Sequence, residues 1–173
     1  MVMGDIASGC DVLVIGAGFG GYVAAIRAAQ LGKEVVLVDR EGEKGLGGTC
    51  LNNGCIPSKA LIYAAGIAHT AKGASELGIN AGSLSVDMQK MQAWKQGVVD
   101  KLRTGVGMLC KRYGVQFVQG EAFFKSSGTA GIRSEKGIST VEFGHAIIAS
   151  GAAHMQHPKL AFDGRNVLSS TEA

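Results

Sequence analysis

The chain has 173 residues, 46% of them apolar and 18% charged, so it contains enough apolar material for one buried core and does not resemble a disordered chain. The net charge of +3 is small and the basic residues form no run, which disfavours a nucleic-acid partner. No apolar stretch approaches the roughly 18–20 residues that span a bilayer, so no membrane association is expected.

The first elements of the chain predict a βαβ unit. Residues 12–15 form a continuous β-branched apolar run, which is typical of a strand that is buried on both faces. Residues 22–31 are rich in alanine and end at Gly32, as a helix with a C-terminal glycine does. Residues 35–38 predict a second buried strand, which ends in Asp39. A βαβ unit implies a parallel sheet.

Two helices are predicted next, over residues 58–72 and 87–112. The second has apolar residues at spacings of three and four, which predict one core-facing stripe formed by Met88, Met91, Trp94, Val98, Leu102, Val106 and Leu109. The charged residues off this stripe are predicted to form a solvated face that consists of Lys90, Lys95, Lys101 and Arg103.

The last predicted elements are strands. Residues 115–124, 129–133 and 138–143 are strand-like runs separated by short turn sequences, which predicts a small antiparallel meander. Residues 145–149 predict one more buried strand. Together these elements predict an α/β fold class, with a parallel sheet, helices on both of its faces and a small antiparallel meander.

A glycine-rich turn, Gly16-x-Gly18-x-x-Gly21, connects the first predicted strand to the first predicted helix. In this context the pattern predicts a dinucleotide site, in which Gly16 makes the tight turn, Gly18 admits the pyrophosphate and Gly21 lets helix and strand pack closely. The free N–H groups of the helix N-terminus would face the phosphates. Asp39 follows Gly21 by 18 positions and would accept hydrogen bonds from ribose hydroxyls. The alternative is a glycine-rich turn that binds no ligand.

Two cysteines stand close together, at Cys50 and Cys55. A structural zinc site would need two more ligands at suitable spacing, and the four histidines do not supply them, so no metal site is predicted. A reversible disulfide is the favoured interpretation. A helix that starts just after the pair would direct its N-terminus at the thiols, and Lys59 would add a positive charge, both of which lower a thiol pKa. Cys10 and Cys110 are predicted to be small buried residues without a chemical role.

These motifs carry a resemblance to a known family. The stretches GAG at residues 16–18, RAAQLG at 27–32 and GGTCLNNGCIPSKAL at 47–61 resemble the pyridine nucleotide–disulfide oxidoreductases, and the SKAL ending resembles the dihydrolipoamide dehydrogenase branch. Glutathione reductase and mercuric reductase belong to the same family and remain alternatives, as does a flavin-binding module without turnover. The resemblance covers essentially the whole chain. It implies a truncated, Rossmann-like FAD-binding domain over residues 1–150 and a connector over 151–173 towards an NAD-binding domain.

The resemblance implies roles for individual residues. Cys55 would be the thiol that faces the flavin, Cys50 the thiol that exchanges with substrate, and Lys59 would lie near the flavin. Asn53 departs from the family, in which valine is more usual at this position. The residues implied in cofactor binding are Gly16, Gly18, Gly21, Asp39, Arg40, Gly48, Thr49, Cys55, Lys59, Gly120, Glu121, Ala122, Ser150 and Gly151.

The resemblance also implies substrates and partners. Electrons would pass from dihydrolipoamide, carried on a 2-oxoacid dehydrogenase complex or the glycine cleavage system, through the cysteine pair and FAD to NAD. The full-length protein would be a homodimer, whose general-base histidine and NAD fingerprint lie outside this sequence.

The two ends of the sequence add two expectations. Residues 169–172 match an S-x-x-E capping box that opens a helix, yet the sequence stops one residue later, so we expect a fragment. Because the general base and the NAD fingerprint that the resemblance implies lie outside it, we expect little or no turnover by this chain alone. Residues 1–5 match no targeting peptide, so we expect a cytoplasmic protein, or a mitochondrial one if a transit peptide has been removed.

Overall fold

One six-stranded sheet lies at the centre of the computed structural model, which describes residues 9–172. Its strands are β1 (Gly9–Ile15), β2 (Val35–Asp39), β3 (Gln116–Gln119), β4 (Glu121–Ser126), β5 (Thr129–Ser134) and β6 (Gly137–Ile148). The α-helices of the described residues are α1 (Phe19–Gln30), α2 (Gly48–Asn52), α3 (Cys55–Gly73) and α4 (Met88–Arg112). Short 3₁₀ turns cover Gly42–Gly45 and Ala74–Leu77. Residues 1–5, whose sequence matches no targeting peptide, lie outside the described range.

The strands are ordered β3-β2-β1-β6-β5-β4 across the sheet. The first four strands in this order run parallel, and β5 lies antiparallel to both β6 and β4. Ile15 of β1 pairs with Val38 of β2 on one side and with Ile148 of β6 on the other. Leu13 and Val14 are both fully buried. Because neighbouring strand residues face opposite sides of a sheet, both faces of the sheet are covered at β1. The predicted βαβ unit and its parallel sheet are therefore confirmed.

The single strand predicted over residues 115–124 is wrong, because the chain divides at Gly120 into two strands with different partners. β3 ends before Gly120 and lies parallel to β2, whereas β4 begins after it and lies antiparallel to β5. A Cβ at Gly120 would come within 2.6 Å of the Ile132 side chain of β5. The chain thus needs a glycine where it leaves the parallel edge and enters the meander.

The two strands predicted over residues 138–143 and 145–149 form one continuous strand, β6. Its first half pairs antiparallel with β5, and its second half pairs parallel with β1. Glu142 belongs to both pairings, since it lies opposite Thr129 of β5 and Gly9 of β1. The chain therefore passes from the meander into the parallel sheet without a turn.

Two core clusters cover opposite faces of the sheet. The first includes helix residues, such as Ala25 of α1, Leu51 of α2 and Val106 of α4. The second consists only of strand residues, namely Leu13, Val36, Val38, Val118, Ala130, Ile132 and Val141. β4 also contacts β2, so the meander folds over this face. The α/β fold class is confirmed, but on the second face the meander takes the place of the predicted helices.

α4 packs on the sheet through a face that matches the predicted stripe only at Val106. Its buried residues are Val99, Val106 and Cys110, whereas Trp94 is 45% exposed. Trp94 stacks against Tyr63 of α3 instead, with ring centroids 6.3 Å apart. Apolar residues at spacings of three and four occur on more than one side of this helix, and the sheet selects the side that bears the valines.

The described chain ends in residues 149–172, which form turns and an isolated bridge rather than helices or strands. The predicted capping box forms only in part, because Ser169 N–H donates to the Glu172 carboxylate over 2.7 Å while Ser169 Oγ accepts from Thr171 N–H over 3.1 Å. The hydrogen bonds from Ser169 lower the pKa of Glu172. The domain boundary expected at residue 150 stays a prediction. None of the helices of residues 9–172 is both long enough and apolar enough to cross a bilayer.

Candidate functional site

The glycine-rich turn lies where β1 ends, at the carboxyl edge of the parallel sheet. Gly16 has a left-handed φ of +98°, and a Cβ there would overlap the carbonyl group of Ala149. A Cβ at Gly21 would overlap the carbonyl oxygen of Gly16, so the helix approaches the strand very closely. α1 begins at Phe19 without a side-chain cap, which leaves the N–H groups of its first turn available to an anionic group.

Asp39 stands at the end of β2, beside this turn. Its Oδ2 atom accepts a hydrogen bond from Ala17 N–H over 2.8 Å, and its Oδ1 atom accepts one from Glu41 N–H over 2.9 Å. A Cβ at Gly45 would overlap the same carboxylate. Arg40 lies in solvent, where its Nε atom is 3.5 Å from the Glu41 carboxylate. The structure brings the Asp39 carboxylate to the glycine-rich turn but leaves the Arg40 side chain in solvent.

The cysteine-bearing segment packs directly on the glycine-rich turn. Gly47 N–H donates to the Ala17 carbonyl oxygen over 2.9 Å, and Gly47 forms a bridge with Gly18. Gly48 has a φ of +58°, and a Cβ there would lie 2.6 Å from the Cα atom of Gly18. The glycine-rich turn and the cysteine-bearing segment, which are distant in the sequence, therefore form one site in which their backbones are in direct contact.

Cys50 lies in the short helix α2, and Cys55 is the first residue of α3. Both are free thiols, and Cys55 is exposed whereas Cys50 is half-buried. Hydrogen bonding with the Cys55 side chain raises the pKa of Cys50, and burial adds to the rise. The Cys55 backbone N–H and, to a smaller extent, the charge of Lys59 lower this pKa by less. The expectation of a lowered thiol pKa is therefore wrong for Cys50, because the neighbouring thiol and burial outweigh the helix N–H group and the lysine.

The other residues predicted for the flavin side lie on the same two helices. Thr49 immediately precedes Cys50 and is exposed, and Lys59 is exposed as well. Lys59 follows Cys55 by four positions, so both residues share one face of α3. Ser58 Oγ donates to the carbonyl oxygen of Gly54 over 2.8 Å and closes the first turn of this helix. The roles of Thr49 and Lys59 towards a cofactor stay predictions.

Glu121 and Ala122, which the resemblance implies in cofactor binding, reach the same edge of the sheet. Gly120 N–H donates to the Asp39 carbonyl oxygen over 3.0 Å, which places the start of β4 directly beyond Asp39. Ala122 is half-buried, and the Glu121 carboxylate pairs with Arg133 at 3.1 Å. The structure thus gathers both residues at the Asp39 end of the site.

Ser150 and Gly151 follow β6 at this edge as well. Ala149 N–H donates to the Ile15 carbonyl oxygen over 2.8 Å, and the Ala149 carbonyl group lies against Gly16. Ser150 and Gly151 come next in exposed positions. The chain therefore passes the glycine-rich turn a second time as it leaves the sheet.

The sequence did not predict the part that Asn52 and Arg103 take in this site. Asn52 Nδ2 donates to two backbone carbonyl oxygens ahead of Cys50, over 3.1 and 3.0 Å. Arg103 Nη1 donates to Asn52 Oδ1 over 3.1 Å, and the Arg103 side chain is only 26% exposed, so it does not belong to a solvated face. A signal was present in the sequence. Arg103 follows Val99 by four positions and precedes Val106 by three, so it shares their buried face.

The other two cysteines lie outside this site. Cys110 is buried in the first core cluster, and Cys10 packs half-buried against the second. Burial raises the pKa of both thiols, which disfavours their thiolate forms. Among residues 9–172, no group of three or more His, Cys, Asp and Glu side chains is placed to hold a metal ion.

The parallel sheet, the glycine-rich turn with its acidic neighbour and the dithiol segment together define a dinucleotide-binding domain of the disulfide oxidoreductase class. The family profile described as pyridine nucleotide-disulphide oxidoreductase matches residues 10–172. The chain therefore belongs to the pyridine nucleotide-disulphide oxidoreductase family, and the resemblance inferred from its motifs is confirmed.

Curated relatives match the chain over its whole length. It is 51% identical to dihydrolipoyl dehydrogenase of Haloferax volcanii and 49% identical to dihydrolipoyl dehydrogenase 2 of Haloarcula marismortui. It is 48% identical to dihydrolipoyl dehydrogenase of Bacillus subtilis. Each alignment covers 100% of this chain and 36% of the relative, so the chain spans about a third of the length of these proteins.

A solved structure has a similar fold. It is the Cu(II) complex of an HOCl-induced flavoprotein disulfide reductase from Escherichia coli, which is 23% identical to this chain. The two superpose with a TM-score of 0.72 over 87% of this chain and 30% of that one. At this level of identity the likeness supports the α/β fold.

Proposed function

We propose that this chain is the FAD-binding, redox-disulfide portion of an enzyme that oxidises dihydrolipoamide. The observation that carries the proposal is the packing of the dithiol segment on the glycine-rich turn, where Gly48 meets the backbone of Gly18. A dinucleotide bound at the turn would lie next to a reactive dithiol, as flavin-linked disulfide exchange requires. We assign residues 1–150 to the FAD-binding domain and residues 151–173 to a connector.

The residues of the site fit FAD. Close backbone approaches at Gly16 and Gly21, together with the uncapped first turn of α1, suit a pyrophosphate. Asp39 keeps lone pairs that can accept hydrogen bonds from ribose hydroxyls. When bound, FAD would supply an acceptor for two electrons. The residues that we expect to hold it are Gly16, Gly18, Gly21, Asp39, Arg40, Gly48, Thr49, Cys55, Lys59, Glu121, Ala122, Ser150 and Gly151.

The chemistry that we assign to the chain itself is thiol–disulfide exchange. A thiolate of dihydrolipoamide attacks the Cys50 sulfur of a Cys50–Cys55 disulfide, the S–S bond breaks, and Cys55 leaves as a thiolate. The second substrate thiol, once deprotonated, attacks the mixed disulfide and releases Cys50. The substrate is thereby oxidised to lipoamide and the protein disulfide is reduced to a dithiol. The charge of Lys59 favours the thiolate form of Cys50 that this second step releases.

The relatives support dihydrolipoamide as the substrate class, because proteins named dihydrolipoyl dehydrogenase are 48–51% identical to the whole chain. We infer that the longer protein is a cytoplasmic homodimer that uses NAD as its final acceptor. We also infer that it serves a 2-oxoacid dehydrogenase complex or the glycine cleavage system. Neither a nucleic acid nor a membrane is needed for this role.

The test measures FAD binding by the purified chain, with the quenching of flavin fluorescence as the signal. Gly48→Ala adds a methyl group against Gly18 at a residue with a positive φ, so we expect FAD affinity to fall by about tenfold or more. Gly66→Ala is the matched control, because a Cβ there meets no atom within 4 Å in the middle of α3. We expect its affinity to stay within about twofold of wild type.

Circular dichroism establishes that each variant is folded before titration. A wild-type chain that binds no FAD, or a Gly48→Ala variant that binds it as tightly as Gly66→Ala, contradicts the proposal. On reduction of the FAD-loaded chain, a long-wavelength absorbance band that is absent from Cys55→Ala would support Cys55 as the thiol on the flavin side.

A further inference from the structure

The Asn52 side chain closes a small loop around Cys50. Its Nδ2 atom donates to the carbonyl oxygen of Leu46 over 3.1 Å and to that of Gly48 over 3.0 Å. Both carbonyl groups precede Cys50 in the chain, and Asn52 follows it. The backbone on the two sides of Cys50 is therefore tied together by one amide group.

Arg103 connects this loop to α4. Its Nη1 atom donates to Asn52 Oδ1 over 3.1 Å, and its Nη2 atom binds the Asp100 carboxylate one turn earlier on the helix. The orientation of the Asn52 amide follows from its partners, because carbonyl oxygens only accept hydrogen bonds and a guanidinium group only donates them. The charged, partly buried guanidinium group of Arg103 thus holds Oδ1, the acceptor atom of the Asn52 side chain, in place.

We propose that Asn52 and Arg103 are positioning residues that hold Cys50 against Cys55 and thereby stabilise the disulfide between them. The inference rests on the proposed function, in which this pair cycles between disulfide and dithiol. A disulfide forms readily when the two sulfur atoms are already held near bonding geometry, because less conformational freedom is lost on closure. Releasing the Cys50 loop would lower the equilibrium constant for disulfide formation.

The positioning effect is separable from folding, because other residues anchor the loop in the core. Leu46 and Leu51 are 4% and 8% exposed and belong to the first core cluster, whereas Asn52 and Arg103 are only partly buried. Removing the polar contacts leaves this apolar packing unchanged. We therefore expect Asn52→Ala to fold with the same packing of Leu46 and Leu51, while the turn that carries Cys50 gains conformational freedom.

The test measures the equilibrium of the full chain with reduced and oxidised dithiothreitol. In this exchange the Cys50 and Cys55 thiols become a disulfide while oxidised dithiothreitol becomes the dithiol. Acid quenching, alkylation and peptide mass spectrometry give the oxidised fraction of this pair separately from Cys10 and Cys110. For Asn52→Ala and for Arg103→Met, we expect the equilibrium constant for disulfide formation to fall by about tenfold.

Two further variants control for charge and for general structural effects. Lys101→Met removes an exposed cation from the same helix and is expected to leave the equilibrium constant within about twofold of wild type. Arg103→Lys keeps a donor and is expected to recover part of the effect of Arg103→Met. Thermal melts of all variants separate a loss of stability from a change in the redox equilibrium.

The possible results discriminate between the two proposals. A wild-type chain whose Cys50 and Cys55 form no disulfide in oxidised dithiothreitol contradicts the proposed function itself. A wild-type disulfide whose equilibrium constant is unchanged in Asn52→Ala and in Arg103→Met overturns the positioning role alone. Equal changes in Arg103→Met and Lys101→Met also overturn it, because they would reflect charge rather than contact.

Discussion

The pKa of the Cys50 thiol depends on its neighbour Cys55, and a single substitution tests this dependence. Hydrogen bonding with Cys55 is the largest cause of the raised pKa of Cys50, so Cys55→Ala should lower the pKa of Cys50. In the wild-type chain the raised pKa favours the thiol, so the Cys50 thiolate appears only at higher pH. Cys50 of the Cys55→Ala variant should therefore react with iodoacetamide at lower pH. The pH profile of alkylation at Cys50, followed by mass spectrometry, measures this shift.

Lys59→Met provides a control of opposite sign. The charge of Lys59 lowers the pKa of Cys50, so its removal should move the alkylation profile to higher pH. Movement of both variants in the same direction would show that the fold around Cys50, rather than the two named contacts, sets the pKa.

Local motifs allowed the sequence to predict the glycine-rich turn and the cysteine pair, because the chemistry of each depends on residues close together in the chain. The contact between Asn52 and Arg103 could not be predicted in this way, since 51 positions separate the two residues. It depends on which face α4 turns towards the sheet. Once Val99 and Val106 are known to face the core, the place of Arg103 between them follows.

At the scale of elements, α4 offers a direct comparison between two residues of the predicted core stripe, one of which is buried and the other exposed. Val106 is buried in the first core cluster, so Val106→Ala should lower the free energy of unfolding by about 2 kcal/mol. Leu109 belonged to the predicted stripe but is 43% exposed, so Leu109→Ala should cost less than about 1 kcal/mol. Urea unfolding of the two variants measures both values. A larger loss for Leu109→Ala would mean that Leu109, rather than Val106, faces the core.

Strand boundaries were harder to predict than strand existence for a physical reason. The break at Gly120 and the continuity of β6 both depend on which strands lie alongside, and a single strand sequence does not contain that information. Gly120 lies inside a strand-like run of alternating polar and apolar residues that is compatible with one long strand. The close approach of Ile132 and Arg133 of β5 requires a glycine at this division.

At the scale of the whole molecule, the parallel topology explains why separate motifs form one site. β1 ends at Ile15, β2 at Asp39 and β6 at Ile148, and parallel strands bring these ends to a common edge. The glycine-rich turn, the acidic residue and Ser150 are therefore neighbours as a consequence of the sheet alone. The dithiol segment joins them through a second requirement, the backbone packing at Gly48.

The surface of α3 leads to a prediction about the whole chain. Ile62, Tyr63 and Ile67 are 70%, 64% and 57% exposed, and Trp94 of α4 stacks beside Tyr63. An exposed apolar surface of this kind promotes association. We expect the purified chain to self-associate, so that its apparent mass in size-exclusion chromatography rises with concentration.

Charge substitution on this surface tests whether α3 drives the association. Ile67→Lys should shift the chain towards the monomer, because association would then remove a charge from water. Ile138→Lys is the matched control, since Ile138 is a comparably exposed apolar residue that lies on β6 instead. A wild-type chain that stays monomeric at every concentration excludes the association, and equal effects of the two lysine variants would assign it to general apolar exposure rather than to α3.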